Sequence, residues 1–552
     1  MTPLTTHLLS ILLFFLTLTL SQHSPPSHSQ SQPKSQSQPT TTPPNNPPLT
    51  TWTSLILTHH GERRPLLTHP LSPPFTPLGA LQSFSSGSIL RRRYLTGPAA
   101  HNTSFVPLHG FHKNYIDNQR VQVMSAPEQP VVASAWAFLQ GLYPPVDAPA
   151  AVGGSPKAGG GGWEAPLGGY QYGRVETAGG GDWNHIWVAG SDRCALHAIS
   201  TAAQINSSVY INTTQTSAPF FASMIPNVFG GMLPESMVTY HNAPALYDYA
   251  AYATLHNSTV AATLPASALA RLKALAAKSI WGAYGVQRGT GEGEGGDSEQ
   301  DAILKPIAGR TFAERALHLL TRTTTPNRPG ELHLLFASST PFVGFSAISG
   351  LAEHDARFKG VVEPGSMMVF EVFSYTDPGA GRPGKEDLWV RFLYRNGTWE
   401  GARLVRYPLF GRGRGKMDMR FEEFEKEMGA VGVGVREWCE VCGGGTVFCP
   451  VFLEGLEKAR KGGKEGKGKN AGGDGGEKKK KKGTTALELG LGLGAAGFVV
   501  VVGVLVAVFC ARRQRRQRRR EVRDKVDGWE MGDRGGDWWT GVWGWGEGWG
   551  CG

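Results

Sequence analysis

Leu55-Ile56-Leu57-Thr58-His59-His60-Gly61-Glu62-Arg63-Arg64-Pro65 decides how the folded part of this chain is read. Its first four residues are apolar and β-prone, the composition of a short buried strand. Such a strand delivers His and Arg side chains to its C-terminal end, and Gly61 permits close approach of the backbone there. This is a common way to build an anion site in an α/β protein. Downstream, Thr76-Pro77-Leu78-Gly79 places a good N-cap before a Pro suited to the first helical position. A helix is therefore predicted from here toward Arg91-Arg92-Arg93-Tyr94. On its own, His-Gly-x-Arg is a short pattern that chance supplies often.

The chain has 552 residues, of which 40% are hydrophobic and 25 are Phe, ample for a large buried core, and uniform disorder is excluded. The apolar stretch Leu8 to Leu20 has the length of a signal-peptide h-region, although its n-region lacks Lys and Arg; an uncleaved anchor is the alternative. Residues 1–21 are read as a signal peptide and 22–50 as a Pro/Ser/Gln-rich disordered stalk. Residues 51–457 form the ectodomain, and 458–488 a Gly/Lys-rich linker. The uncharged run Leu489 to Ala511 suits one transmembrane helix, and seven arginines between Arg512 and Arg520 follow it as a stop-transfer signal. Residues 512–552 are a cytoplasmic tail, first basic and then Trp/Gly-rich. The expected topology is single-pass type I, in the plasma membrane or a secretory-pathway membrane, with the ectodomain extracellular or lumenal.

Charge supports that division. The formal net is +10, yet residues 458–484 carry +8 and 512–552 carry +3. The excess thus belongs to a tether and a tail placed to meet anionic lipid, and nucleic acid is excluded as the implied partner. Asn-x-Ser/Thr sequons at Asn102, Asn206, Asn212, Asn257 and Asn396 all fall between signal and anchor. So do Cys194, Cys439, Cys442 and Cys449, an even set suited to an oxidising compartment. Cys439-x-x-Cys442 lacks a second pair or nearby His, so disulfides are expected rather than zinc, one of them joining Cys194 to the C-terminal cluster. No metal or cofactor is expected.

From Thr58 to Pro65 and from Phe75 to Gly79, ending in Arg91-x-Arg93-Tyr94, the sequence resembles the opening of the histidine acid phosphatases, the branch with prostatic-type acid phosphatase and phytases. Val121 to Pro145 is similar to the family's V-x-x-R-S-T-x-x-x-R-x-x-x-S-A segment with its following Pro-Pro. Leu335 to Glu371 resembles the segment that holds the His-Asp pair and ends in Phe-Glu, and Trp389 to Thr398 the next strand and turn. The resemblance implies an α/β phosphoglycerate mutase-like core, its sheet flanked by helices, with a helical lobe inserted between Tyr143-Pro144-Pro145 and a strand at Leu332–Ala337. Ala-rich sequence at 243–278 suits helices of that lobe, their apolar stripe read as lobe packing rather than a ligand groove.

In that family a His forms a phosphohistidine, three arginines and the His of His-Asp hold phosphate oxygens, and the Asp protonates the leaving alcohol. Carried over by position, the nucleophile is His60 and the second arginine Arg63. The first arginine position is His59, which protonates below about pH 6.5 when unperturbed and could partly substitute for an arginine there. The third falls on Pro130, and the His-Asp pair on Ser339 and Thr340. His354-Asp355 lies too far along and reads as a surface or cap pair. Gly190-Ser191-Asp192-Arg193 abuts Cys194 and reads as part of the disulfide-bearing lobe. The expectation is a pseudophosphatase ectodomain that binds a phosphorylated or anionic small ligand, with weak acid phosphomonoesterase activity through His60 as the alternative.

Overall fold

The computed structural model describes residues 49–453 except 70, 99–102, 147–165, 287–296, 326–327, 377–378 and 380. The expected signal peptide, linker, transmembrane run, tail and Asn102 lie outside the described residues, as does the stalk up to residue 48. Among the described residues, no helix is long and apolar enough to cross a membrane.

Strand β1, Thr50–His59, is buried along its whole length, which explains its near-continuous run of apolar and small hydroxyl residues. It pairs in parallel with β4 (Leu332–Ala337) and antiparallel with β5 (Met367–Ser374). Further strands are β2 (Val121–Ser125), β3 (Glu176–Thr177), β6 (Trp389–Arg395), β7 (Val405–Arg406) and β8 (Asp418–Arg420). The sheet order is β3-β2-β4-β1-β5-β6-β7, with β8 beside β6.

Helices cover both faces. Helix α1 (Pro77–Arg91) and α2 (Gln129–Leu142) lie on one, where Phe138 meets Phe336 of β4 edge-on. On the other, Phe312 and Phe345 pack on Phe370 of β5 from Ile307–Thr321 and Thr340–Ile348. This is the mixed α/β core with flanking helices that the sequence reading expects. The inserted lobe is helical as expected: α3 (Ala195–Ala203), α4 (Ser208–Met224), α5 (Ala243–His256), α6 (Ser258–Thr263) and α7 (Ala266–Tyr284). It has its own apolar core around Phe221, Phe229, Leu246 and Leu272. One refinement concerns its start: β3, inside the interval assigned to the lobe, joins the main sheet beside β2.

Two sequence fragments meet inside the core. Just past α1, Arg93 makes a two-pronged contact with Glu371 of β5, at 2.6 and 2.8 Å, and the Tyr94 hydroxyl donates to the same carboxylate at 2.7 Å. All three side chains are buried. Arg-x-Arg-Tyr and Phe-Glu are therefore structural partners, a buried charge satisfied by fork geometry. Two disulfides close the other end, Cys194–Cys442 and Cys439–Cys449. The first is the expected link to the C-terminal cluster. Both cysteines of the CxxC are thereby oxidised.

Candidate functional site

Parallel strands β1 and β4 end side by side, and a cavity opens off their C-terminal ends, where α/β sheets place their sites. His59 and His60 leave β1, and Ser338, Ser339 and Thr340 leave β4. Because β5 runs antiparallel to β1, the segment leading into it, Val361 to Pro364, arrives at the same place. The cavity measures about 530 Å³.

Backbone contacts hold the His60 loop. Gly61 donates its N–H to the Ser134 hydroxyl at 2.9 Å, and Ser134 in turn donates to the Pro130 carbonyl at 2.6 Å. A Cβ on Gly61 would lie 2.2 Å from the Gly79 carbonyl oxygen, and one on Gly79 would lie 2.1 Å from the Glu62 carbonyl oxygen. Only glycines allow this contact between the loop and the first turn of α1. Thr76 caps α1 as expected, accepting from the Gly79 N–H at 3.0 Å.

The His60 Nδ1 lies 2.7 Å from the Gly61 carbonyl oxygen. A carbonyl only accepts, so Nδ1 carries the proton and Nε2 keeps its lone pair. Desolvation in the cavity pushes the His60 pKa down to about 4, and the nearby Arg63 charge adds to the effect. His60 is thus a neutral imidazole with a free nitrogen through most of the acidic range. His59 donates from Nδ1 to the Glu363 carbonyl at 3.1 Å. Burial, then the neighbouring His60, hold its pKa well below the ordinary value. The expectation that His59 turns cationic just below pH 6.5 is therefore corrected: burial moves its protonation to lower pH, which weakens it as a substitute for an arginine.

Arg63 is the cavity's one Lys or Arg among the described lining residues. Its Nη1 donates to Asp248 Oδ2 of α5 at 2.9 Å, and Asp248 Oδ2 also accepts the Leu66 N–H at 3.2 Å. Glu62 receives His256 Nε2 at 2.7 and 3.0 Å, and Lys273 of α7 pairs with Glu363. Among the described residues, Arg63 and Lys273 at the cavity rim are each matched by a carboxylate. Asp248, Tyr252 and His256 recur every four residues on one face of α5, while Leu246, Ala250 and Ala253 are buried. The apolar stripe of this helix packs the lobe core through Leu246, Ala250 and Ala253, as expected, while a second face of the helix lines the cavity. Sequence reasoning missed Asp248 and His256; the signal was that period-four polar row.

Ser339 and Thr340 lie at the cavity, Ser339 as the residue before the helix that starts at Thr340. Neither hydroxyl is an acid at these pH values. Pro130 is buried as an early residue of α2 and is not among the residues lining the cavity. Asp355 pairs with Arg357 away from it, and Gly190 accepts the Trp438 indole N–H beside the disulfides. The Gly190–Arg193 turn nevertheless reaches the edge of the site, where the Ser191 hydroxyl donates to the Thr340 Oγ1 at 3.4 Å, although neither Asp192 nor Arg193 is among the described residues lining the cavity. Asn206, Asn212 and Asn257 are exposed, and Asn396 is half-buried in the turn after β6. Among the described residues no group of His, Cys, Asp and Glu side chains could hold a metal ion.

No family model matches the chain, and no curated protein matches it. Solved structures similar to it include Hafnia alvei phytase, 14% identical over 73% of this chain and 99% of that one, with a TM-score of 0.45. The phytase from Citrobacter braakii is 12% identical over 72% of this chain and 100% of that one, TM-score 0.43. The multiple inositol polyphosphate phosphatase of Bifidobacterium longum is 11% identical over 72% and 95%, TM-score 0.40. By their names these neighbours are two phytases and a multiple inositol polyphosphate phosphatase.

Proposed function

We propose that this chain is a membrane-anchored, histidine acid phosphatase-like ectodomain that binds a small molecule without turning over phosphate esters. The observation that carries this reading is the charge pairing of the cavity. His60 supplies a free imidazole nitrogen, but the first arginine position holds His59, whose pKa burial lowers, and Arg63 is already matched by Asp248. Phosphoryl transfer needs cations aimed at the equatorial oxygens and a donor for the leaving group. Pro130, Ser339 and Thr340 supply neither. The two disulfides and the exposed Asn206, Asn212 and Asn257 fit an extracellular or lumenal ectodomain held by Leu489 to Ala511.

The test is hydrolysis of p-nitrophenyl phosphate from pH 3 to 7 by the full-length chain from a secretory host, beside His60→Ala. The reading expects equal background rates; activity abolished by the substitution overturns it. One observation favours the second reading, a weak acid phosphomonoesterase. Asp248, next to Arg63, is a carboxyl group that could protonate a leaving alcohol. On that reading hydrolysis depends on both His60 and Asp248.

A further inference from the structure

Asp248 does more than accompany Arg63. It holds a guanidinium nitrogen with a carboxylate oxygen at 2.9 Å, the geometry by which the same arginine would hold an oxyanion ligand. The Leu66 N–H reinforces that placement, so the carboxylate is anchored from both sides. The Arg63 and Asp248 side chains are 15% and 32% exposed, so the pair lies partly screened at the cavity wall. The same cavity is lined by a set of largely apolar side chains, Tyr247, Tyr252, Leu255, Ile280, Val361 and Val362. Burial raises the Tyr247 phenol pKa, so its hydroxyl stays protonated and uncharged.

Resting on the proposed non-hydrolytic site, we infer that Asp248 is an internal anion that fills the phosphate subsite and sets the ligand class. The cavity then takes an uncharged, mainly apolar molecule with aromatic or aliphatic bulk against Tyr247, Tyr252 and Leu255. A phosphorylated ligand must displace Asp248 from Arg63 and leave one carboxylate facing another anion, which disfavours it. The site is a specificity device as much as a degenerate one.

1-Naphthol and 1-naphthyl phosphate share an apolar body and differ in the phosphate, so they probe this directly. Their binding is measured by ligand fluorescence on the full-length chain, with product release followed in parallel. Wild type is expected to prefer naphthol. Asp248→Asn keeps the shape and an acceptor for Leu66, and should bind naphthyl phosphate roughly tenfold or more tightly than wild type does. Asp248→Ala should do the same, which guards against an effect of the amide. Adding Arg63→Met to Asp248→Asn should cancel the gain. Wild type preferring the phosphate, no gain in either Asp248 variant, or a gain that survives Arg63→Met overturns the inference. Release of naphthol by wild type that stops in His60→Ala instead overturns the non-hydrolytic reading beneath it.

Discussion

Arg63 and Asp248 are 185 residues apart in the chain and 2.9 Å apart in the fold, and that contact joins the His60 loop to the inserted helical lobe. Glu62–His256 and Glu363–Lys273 also join the core to the lobe around the cavity, with the carboxylate now on the core side. The lobe therefore closes over the ends of β1 and β4 and satisfies the charges that emerge there.

The pH dependence of stability follows from His60. Its folded pKa of about 4 lies below the unfolded value of 6.5, so the unfolded chain binds more protons between those pH values. Stability attributable to His60 is complete above about pH 6.5 and lost as pH falls toward 4. On that basis His60→Asn should flatten the fall in stability across this window by about 3 kcal/mol, read from denaturant melts at pH 4, 5.5 and 7. A wild-type slope matched by His60→Asn would contradict the assigned environment.

Close backbone packing at the loop makes Gly79 intolerant of a side chain. Gly79→Ala places a Cβ against the Glu62 carbonyl and should cost about 2–4 kcal/mol by displacing the loop from α1. An unchanged thermal midpoint for Gly79→Ala would show that the loop is not seated this way.

Removing one member of the buried Arg93–Glu371–Tyr94 cluster leaves the others unsatisfied. Glu371→Ala should destabilise by about 3–5 kcal/mol. Arg93→Met combined with Glu371→Leu should cost less than the two single changes summed, because neither charge is then stranded. Strict additivity in urea melts would argue against a coupled pair.

The two disulfides differ in the chain they constrain, 248 residues of separation against 10. On the chain-entropy account, loss of Cys194–Cys442 costs about 5 kcal/mol and loss of Cys439–Cys449 about 3. Paired Cys→Ala variants should melt in that order; the reverse order would assign the stabilisation to something other than loop closure.

Much of the core was legible because its signals are local. The Thr76-Pro77 cap, the apolar run of β1 and the strand at Leu332–Ala337 each follow from a few adjacent residues, and each stands where expected. His60, Ser339 and Thr340 reach one cavity because two parallel strands end together there. Asp248 and His256 carried only the signal of a period-four polar row, and the docking of α5 over the loop decides that this face meets the site. The lowered pKa of His59 was not legible for a related reason, since its main cause is burial, which depends on the fold around the side chain.

The central claim is that a histidine with a free nitrogen lies in a cavity without the charges to use it. Rapid quench of the full-length chain with p-nitrophenyl [³²P]phosphate at pH 5, under alkaline denaturing conditions that preserve phosphohistidine, tests it most directly. The account predicts no label on wild type above that on His60→Ala. Stoichiometric label on wild type that vanishes in His60→Ala would contradict it.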